Sequence, residues 1–217
     1  VKESNEQVEA LLSEVYSLPS VVRAKEYLCR SPISELPYHN ENHTLDVVRE
    51  AVLFALTEEV EKEDILILSI AAAWHDVGFS ISAIEHEEHS ARLFNEDFDK
   101  AQWKEIRGSS REYITQMIHD TKVHFLPMGS GSQQFARTDL SRYLLDADLS
   151  NLGREDFFES FAALLQETGA EEYTFSVATL GLISRHRWHT EAAELLRLEQ
   201  EMRNARELVD RIKSLGL

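Results

Sequence analysis

Apolar residues recur along this chain at spacings of three and four, and alternation with period two is never sustained over a strand's length, a pattern that predicts helix almost throughout. A first helical segment is expected over about residues 6–18. A second follows from Pro19, which suits a first helical turn, to about Arg30, where Ser31-Pro32 ends it. A third begins near residues 37–40 and carries Leu45, Val47, Val48, Ala51, Val52, Phe54 and Ala55. It runs into the acidic stretch 58–64, expected as a solvated helix end and turn. Residues 65–77 are apolar on every side, the mark of a central buried helix, and Gly78 is expected to close it in a left-handed cap. Further helices are expected at about 83–98, 104–122, 134–149, 154–166, 170–186 and 190–215. Between them, Pro127 to Ser132 is the stretch richest in Gly and Ser, expected as a flexible loop or lid. No linker divides the chain, so the expected architecture is one all-α domain over residues 1–217.

Composition narrows the function. The 22 Lys and Arg against 39 Asp and Glu leave a net charge of −17 in 217 residues. Such a chain gains little from counterion release, which argues against DNA, RNA and anionic membranes as partners. Eight Gly and four Pro are few for a fold of many tight turns, in keeping with an all-α protein. Cys29 stands alone, so no intrachain disulfide forms and a reducing cytoplasm is the expected location. The longest apolar run, residues 65–74, is interrupted by Ser69 and falls short of the roughly 20 residues of a membrane span. The first residues, Val1-Lys2-Glu3-Ser4-Asn5-Glu6, have neither the basic start nor the apolar stretch of a signal peptide.

Several polar residues stand where burial makes them costly. His75-Asp76 closes the most apolar helix, and an ionised Asp there needs a charge partner or a metal. His39 and His43 are spaced i, i+4, which on one helix places both on the same face. In Leu144-Leu145-Asp146-Ala147-Asp148-Leu149 the two acids cannot share a face. Asp148, three and four residues after Leu145 and Leu144, is expected to point inward, and Asp146, four after Arg142, toward water. Asp76 and Asp148 thus become two buried carboxylates with no evident Lys or Arg partner, for which a shared cation is the simplest compensation. Imidazole and carboxylate without thiolate suit Zn, Mn, Fe, Co or Ni. For a second ion, His124 follows the apolar stripe of Met117 while His119 lies among polar neighbours, and periodicity does not choose between His86 and His89.

The ordered set His43, His75-Asp76, His86, His124 and Asp148 resembles the HD-domain superfamily of metal-dependent phosphohydrolases. Tyr38-His39-Asn40-Glu41-Asn42-His43 looks like its opening motif, Ala72 to Gly78 like its name-giving doublet, and Leu145 to Leu149 like its closing acid. His86 to Ala91 and Thr121 to His124 resemble two intermediate motifs, and that register selects His86 and His124. The resemblance covers about residues 37–153, with flanking helices in 1–36 and 154–217. It implies a helical core enclosing one metal held by His43, His75, Asp76 and Asp148. A second would be held by His86, His124 and a bridging Asp76, although Val123 stands where a paired histidine is expected. The residue matching His39 looks like the general acid that protonates a leaving oxygen.

The expected chemistry is metal-assisted hydrolysis of a phosphate ester, a nucleotide being the family-based guess for this small phosphorylated substrate. Two other readings remain open: a di-iron oxygenase of the same superfamily, and a non-catalytic helical module that only binds a ligand. The long carboxy-terminal helix, with Leu195, Leu196, Leu198, Met202, Ala205, Leu208, Val209 and Ile212, is expected to close the core, the alternative being a homo-oligomer interface. The histidines of His186-Arg187-Trp188-His189 are assigned to packing or surface.

Overall fold

Helix α4 (Lys62–Trp74) lies at the centre of the protein because it has no polar face to offer water. Ile65, Leu68 and every residue from Ile70 to Trp74 are buried. Its two buried side-chain polar groups are both satisfied: Ser69 Oγ donates to the Ile65 carbonyl at 2.7 Å, and Trp74 Nε1 to the Ser20 carbonyl at 3.0 Å. In this computed structural model, which describes residues 2–125 and 132–216, the helices around it are α1 (Lys2–Val15), α2 (Pro19–Leu28), α3 (Glu41–Thr57), α5 (His86–Ala101), α6 (Gly108–Asp120) and α7 (Ser141–Asp148). Helices α3 and α6 pack most extensively on α4, and α3 also lies along α7. Three more helices follow: α8 (Phe157–Thr168), α9 (Glu172–Arg185) and α10 (Glu191–Leu215). The only sheet among the described residues is a two-residue antiparallel pairing of β1 (His124–Phe125) with β2 (Ser132–Gln133). The fold is all-α.

The apolar core splits in two. The larger cluster joins α1 to α7, so the amino-terminal helices belong to it, and it includes Ala192 and Ala193 of α10. A smaller one gathers Leu152, Phe157, Phe161, Ile183 and Leu208 beneath α8, α9 and α10. No helix among the described residues is long and apolar enough to cross a membrane.

Several expectations are corrected. Gly78 is not a left-handed cap; it sits in the 3-10 turn Val77–Ser80, and Gly169 is the one glycine with positive φ among the described residues. What Gly78 supplies is space. A Cβ there would lie 1.8 Å from the His86 carbonyl oxygen, and the Gly78 N–H donates to Ser90 Oγ at 2.7 Å. The turn after α4 and the start of α5 therefore touch backbone to backbone.

The helix expected over 104–122 begins only at Gly108, with Trp103 and Ile106 buried in the preceding turn. That expected over 134–149 begins at Ser141, because the chain before it is committed elsewhere. Gln134 Nε2 donates to the Thr121 carbonyl (2.6 Å), and the Arg137 N–H to Asp120 (2.7 Å). Helix α10 closes the core on one side through Ala192, Ala193 and Leu208, yet Leu195 is 77% exposed, and Leu198 and Met202 also face solvent. Apart from Ser132, the loop expected at 127–132 lies outside the described residues.

Candidate metal centre

Three helix ends and one turn converge on a single point. His43 sits in the first turn of α3, whose Asn40 cap accepts the N–H groups of Asn42 (2.9 Å) and His43 (3.4 Å). His75 and Asp76 follow the last residue of α4, and Asp148 is the last residue of α7. His75 Nδ1 lies 2.7 Å from the Ala72 carbonyl, to which it donates, so in the neutral ring it is Nε2, on the side of the cluster, that carries the lone pair. Asp148 Oδ2 accepts from Gln134 Nε2 at 3.1 Å, leaving Oδ1 for the histidines.

The resulting distances are short and even. His43 Nε2 is 3.4 Å from both Asp76 Oδ2 and Asp148 Oδ1, and His75 Nε2 is 3.2 Å and 3.5 Å from the same oxygens. None of these contacts is a well-formed hydrogen bond: His43 Nε2, His75 Nε2 and Asp76 Oδ2 are buried without a partner. One ligand atom each from His43, His75 and Asp148 fall within 4.8 Å of one another, an arrangement that could hold a metal ion. A cation with bonds of about 2.0–2.2 Å separates its ligand atoms by roughly 3.0–3.5 Å, the spacing of the four imidazole–carboxylate contacts; Asp76 approaches both histidines but stands outside the group of three.

Electrostatics agree. Burial pushes the His43 and His75 imidazoles down, but Asp76 and Asp148 outweigh it and hold both above the ordinary histidine value. Burial likewise raises the two carboxyls, and the adjacent imidazoles bring both well below the usual range. A buried Asp76 and a partly buried Asp148, neither paired with a Lys or Arg among the described residues, make a site that favours positive charge.

The remaining expected residues divide. His86, the first residue of α5, comes within 3.4 Å of Asp76 Oδ1 through Nε2, brought there by the close approach at Gly78. His124 does not join. It is in β1 opposite Gln133, its ring is 5.4 Å from Phe135, and it is absent from a cavity wall to which Thr121 and Val123 contribute. His119 pairs with Glu88 at 3.2 Å.

His39 lies just before the α3 cap rather than on the helix, so the shared-face expectation fails, yet its ring still reaches the site. Its Nδ1 is 2.5 Å from Glu167 Oε1, and the ring stacks on Phe79 at 4.5 Å. Asp146 corrects a second expectation: it is fully buried, not solvent-facing. It accepts from the N–H groups of His189 and Thr190 (both 2.9 Å) and from Thr190 Oγ1 (2.7 Å).

Three contributors escaped the sequence reading. Glu167, in the last turn of α8, accepts from the N–H groups of Tyr38 and His39 as well as from the His39 ring. Burial raises its carboxyl, and these donors bring it below its ordinary value. Glu87 is buried with Oε1 3.5 Å from His86 Nε2, and Gln134 ties Asp148 to the Thr121 carbonyl. Glu87 alone left a local trace, an acid beside a candidate ligand. Glu167 lies 128 residues from His39, and no short-range pattern connects them.

A cavity of about 670 Å³ opens on this cluster, its polar lining including Tyr38, His39, Asp76, His86, Glu87 and Asp148. A smaller cavity of about 230 Å³ is lined by His43, Asp148, Asp46 and Arg154. No protein-family model matches the chain, and no curated protein proved similar to it.

Proposed function

We propose that this protein is a metal-dependent phosphohydrolase related to the HD-domain superfamily, acting on a small phosphate ester. The observation that carries the reading is the trio of orphaned buried atoms, His43 Nε2, His75 Nε2 and Asp76 Oδ2, facing Asp148 at the end of an open cavity. His43, His75, Asp76 and Asp148 would hold one ion, and a divalent metal there lowers the pKa of water and neutralises charge on phosphoryl oxygens. A single ion is the favoured count, because among the described residues Asp76 is met by His43, His75 and His86 and by no contact from His124. Mn, Fe, Zn, Co and Ni all suit such a donor set.

The chain's own residues then have definite tasks. Glu167 accepts from His39 Nδ1–H and so fixes the orientation of the ring, whose protonated form would offer Nε2–H to the leaving oxygen. In the reaction, water oxygen bonds to phosphorus, the ester P–O bond breaks, the departing alkoxide takes the proton of His39 Nε2, and one proton of the water is released to solvent, from which His39 regains its own. Water and the phosphate monoester give the free alcohol and inorganic phosphate. Phe79 stacks on the His39 ring and limits its rotation, and Gln134 holds Asp148 in register with the histidines.

The test is phosphate release from phenyl phosphate, whose basic leaving group needs a proton, by protein loaded in turn with Mn, Co, Zn and Fe. The reading expects turnover that EDTA abolishes and metal restores, and a His39→Ala variant that keeps its metal while losing turnover about a hundredfold. Iron content with oxygen consumption and no phosphate release would move the site to the oxygenase reading. Metal-free protein that binds ligand without turnover would leave a binding module.

A further inference from the structure

We propose that the substrate carries its phosphate on an apolar alcohol, a hydrocarbon or aryl group, rather than on a nucleoside or sugar; this rests on the phosphohydrolase reading above. The main cavity has two kinds of wall. The polar one consists of His39, Asp76, His86 and their neighbours, and the rest is built largely by Leu149, Leu152, Phe161, Leu164, Phe175 and Leu182. These come from the turn after α7 and from facing stripes of α8 and α9. Phe157, Phe161 and Leu164 are spaced i, i+4, i+7, and Phe175, Ala178, Thr179 and Leu182 are spaced i, i+3, i+4, i+7. Such stripes ordinarily meet each other in a packed core. Here they meet only in part: Phe161 packs on Phe175 with ring centroids 5.0 Å apart, yet both stripes also line the cavity, and apolar surface facing that space gains by receiving an apolar group.

The polar groups that a nucleobase or sugar would require are scarce on that wall. Gln134 is already committed to the Thr121 carbonyl and Asp148, and the Thr121 hydroxyl to the Ile118 carbonyl. Asn151, Thr179 and Arg185 remain. A purine ribonucleoside carries many more donors and acceptors than three side chains can satisfy, and each one buried without a partner weakens binding. A hydrocarbon makes no such demand. Apolar walls with a small number of polar groups at one end suit a ligand with a charged head and an apolar body.

The test is isothermal titration of the Mn-loaded protein with non-hydrolysable methyl-, butyl- and octylphosphonate, and with AMP and 1-octanol. The proposal expects affinity to rise about threefold to fourfold for each methylene that enters the chamber. Octylphosphonate then binds at least about a hundredfold more tightly than methylphosphonate, and more tightly than AMP. Leu164→Gln and Ala178→Trp, two changes at half-buried and exposed positions that the fold tolerates, each shrink the ratio of octyl to methyl affinity. As a readout independent of metal, 1-octanol binds to the metal-free wild type and less to both variants. Equal affinity along the phosphonate series, tighter binding of AMP, or no binding of 1-octanol would overturn the proposal and leave the phosphohydrolase reading standing. Failure of every phosphonate and of AMP, with octanol still bound, would instead remove the phosphohydrolase reading and with it the substrate class.

Discussion

Two kinds of buried carboxylate coexist in this fold. Asp120 is 1% exposed and accepts from Gln116 Nε2, the Arg137 N–H, Arg137 Nη1 and Ser141 Oγ at 2.7–3.1 Å. Asp146, fully buried, is bonded by two backbone N–H groups and a hydroxyl. Asp76, 3% exposed, keeps one oxygen with no partner, and the two nearest imidazole nitrogens have none either. A chain that satisfies Asp120 and Asp146 so fully could satisfy Asp76 by the same means. The difference is that among the described residues only imidazoles approach Asp76, without a well-formed hydrogen bond at Oδ2, beside a cluster of His43, His75 and Asp148 that could hold a metal ion.

The largest expected effect separates the two kinds by activity. Asp148→Ala, or exhaustive chelation of the wild type, lowers phosphate release at least about a thousandfold, roughly 4 kcal/mol of barrier. Asp146→Ala, assayed below its unfolding temperature, retains turnover.

Stability reverses the order. Removing Asp146 strands the N–H groups of His189 and Thr190 at the entry to α10 and costs about 3 kcal/mol, a fall in Tm of roughly 6–12 °C by thermal denaturation. Adding Mn at about a hundred times its Kd raises wild-type stability by roughly 2.7 kcal/mol and leaves Asp148→Ala unchanged.

A smaller effect sharpens the role of His39. Glu167→Gln keeps the shape of the side chain but replaces the carboxylate that accepts from the His39 ring and from the Tyr38 and His39 N–H groups. The expected result is a fall in kcat of about tenfold with KM and metal content unchanged, measured by steady-state kinetics beside elemental analysis.

The smallest concerns Glu58, a half-exposed carboxylate with its partners in place. Burial raises it, but the Tyr143 hydroxyl (2.7 Å) and the Ala192 N–H (2.9 Å) bring its carboxyl below the ordinary value. A folded-state pKa below the unfolded one stabilises the fold above the unfolded value and loses that contribution as pH falls through the folded one. With screening at a partly exposed site, Glu58→Gln costs under about 1 kcal/mol at pH 7. The difference from wild type vanishes in acid, as urea titrations at pH 7 and pH 3 would register.

The helices were legible because their apolar spacing is local; His75, Asp76 and Asp148 stood out as polar residues in apolar surroundings, His43 through its spacing from His39, and His86 only through the family resemblance. Partners distant in sequence were not. Periodicity placed Asp146 in water because its neighbours four away are Arg142 and Ser150. Its burial depends on donors 43 and 44 residues later, which no helical pattern encodes. Gly78 read as a helix stop because helix ends favour glycine, whereas the structure uses it for the close approach of α5. The stripe of α10 announced an apolar face but not its width, and Leu195, Leu198 and Met202 turned out to lie on the solvent side. His124 was placed by extending the α6 periodicity past Asp120, where the helix has already ended.

The most direct test of the orphaned cluster is the metal content of protein purified without chelator, by elemental analysis, beside that of Asp76→Ala and Asp148→Ala. The account predicts about one equivalent of a divalent transition metal in the wild type and its loss in both variants. A folded wild-type protein that holds no metal after reconstitution with Mn, Zn and Fe would contradict it.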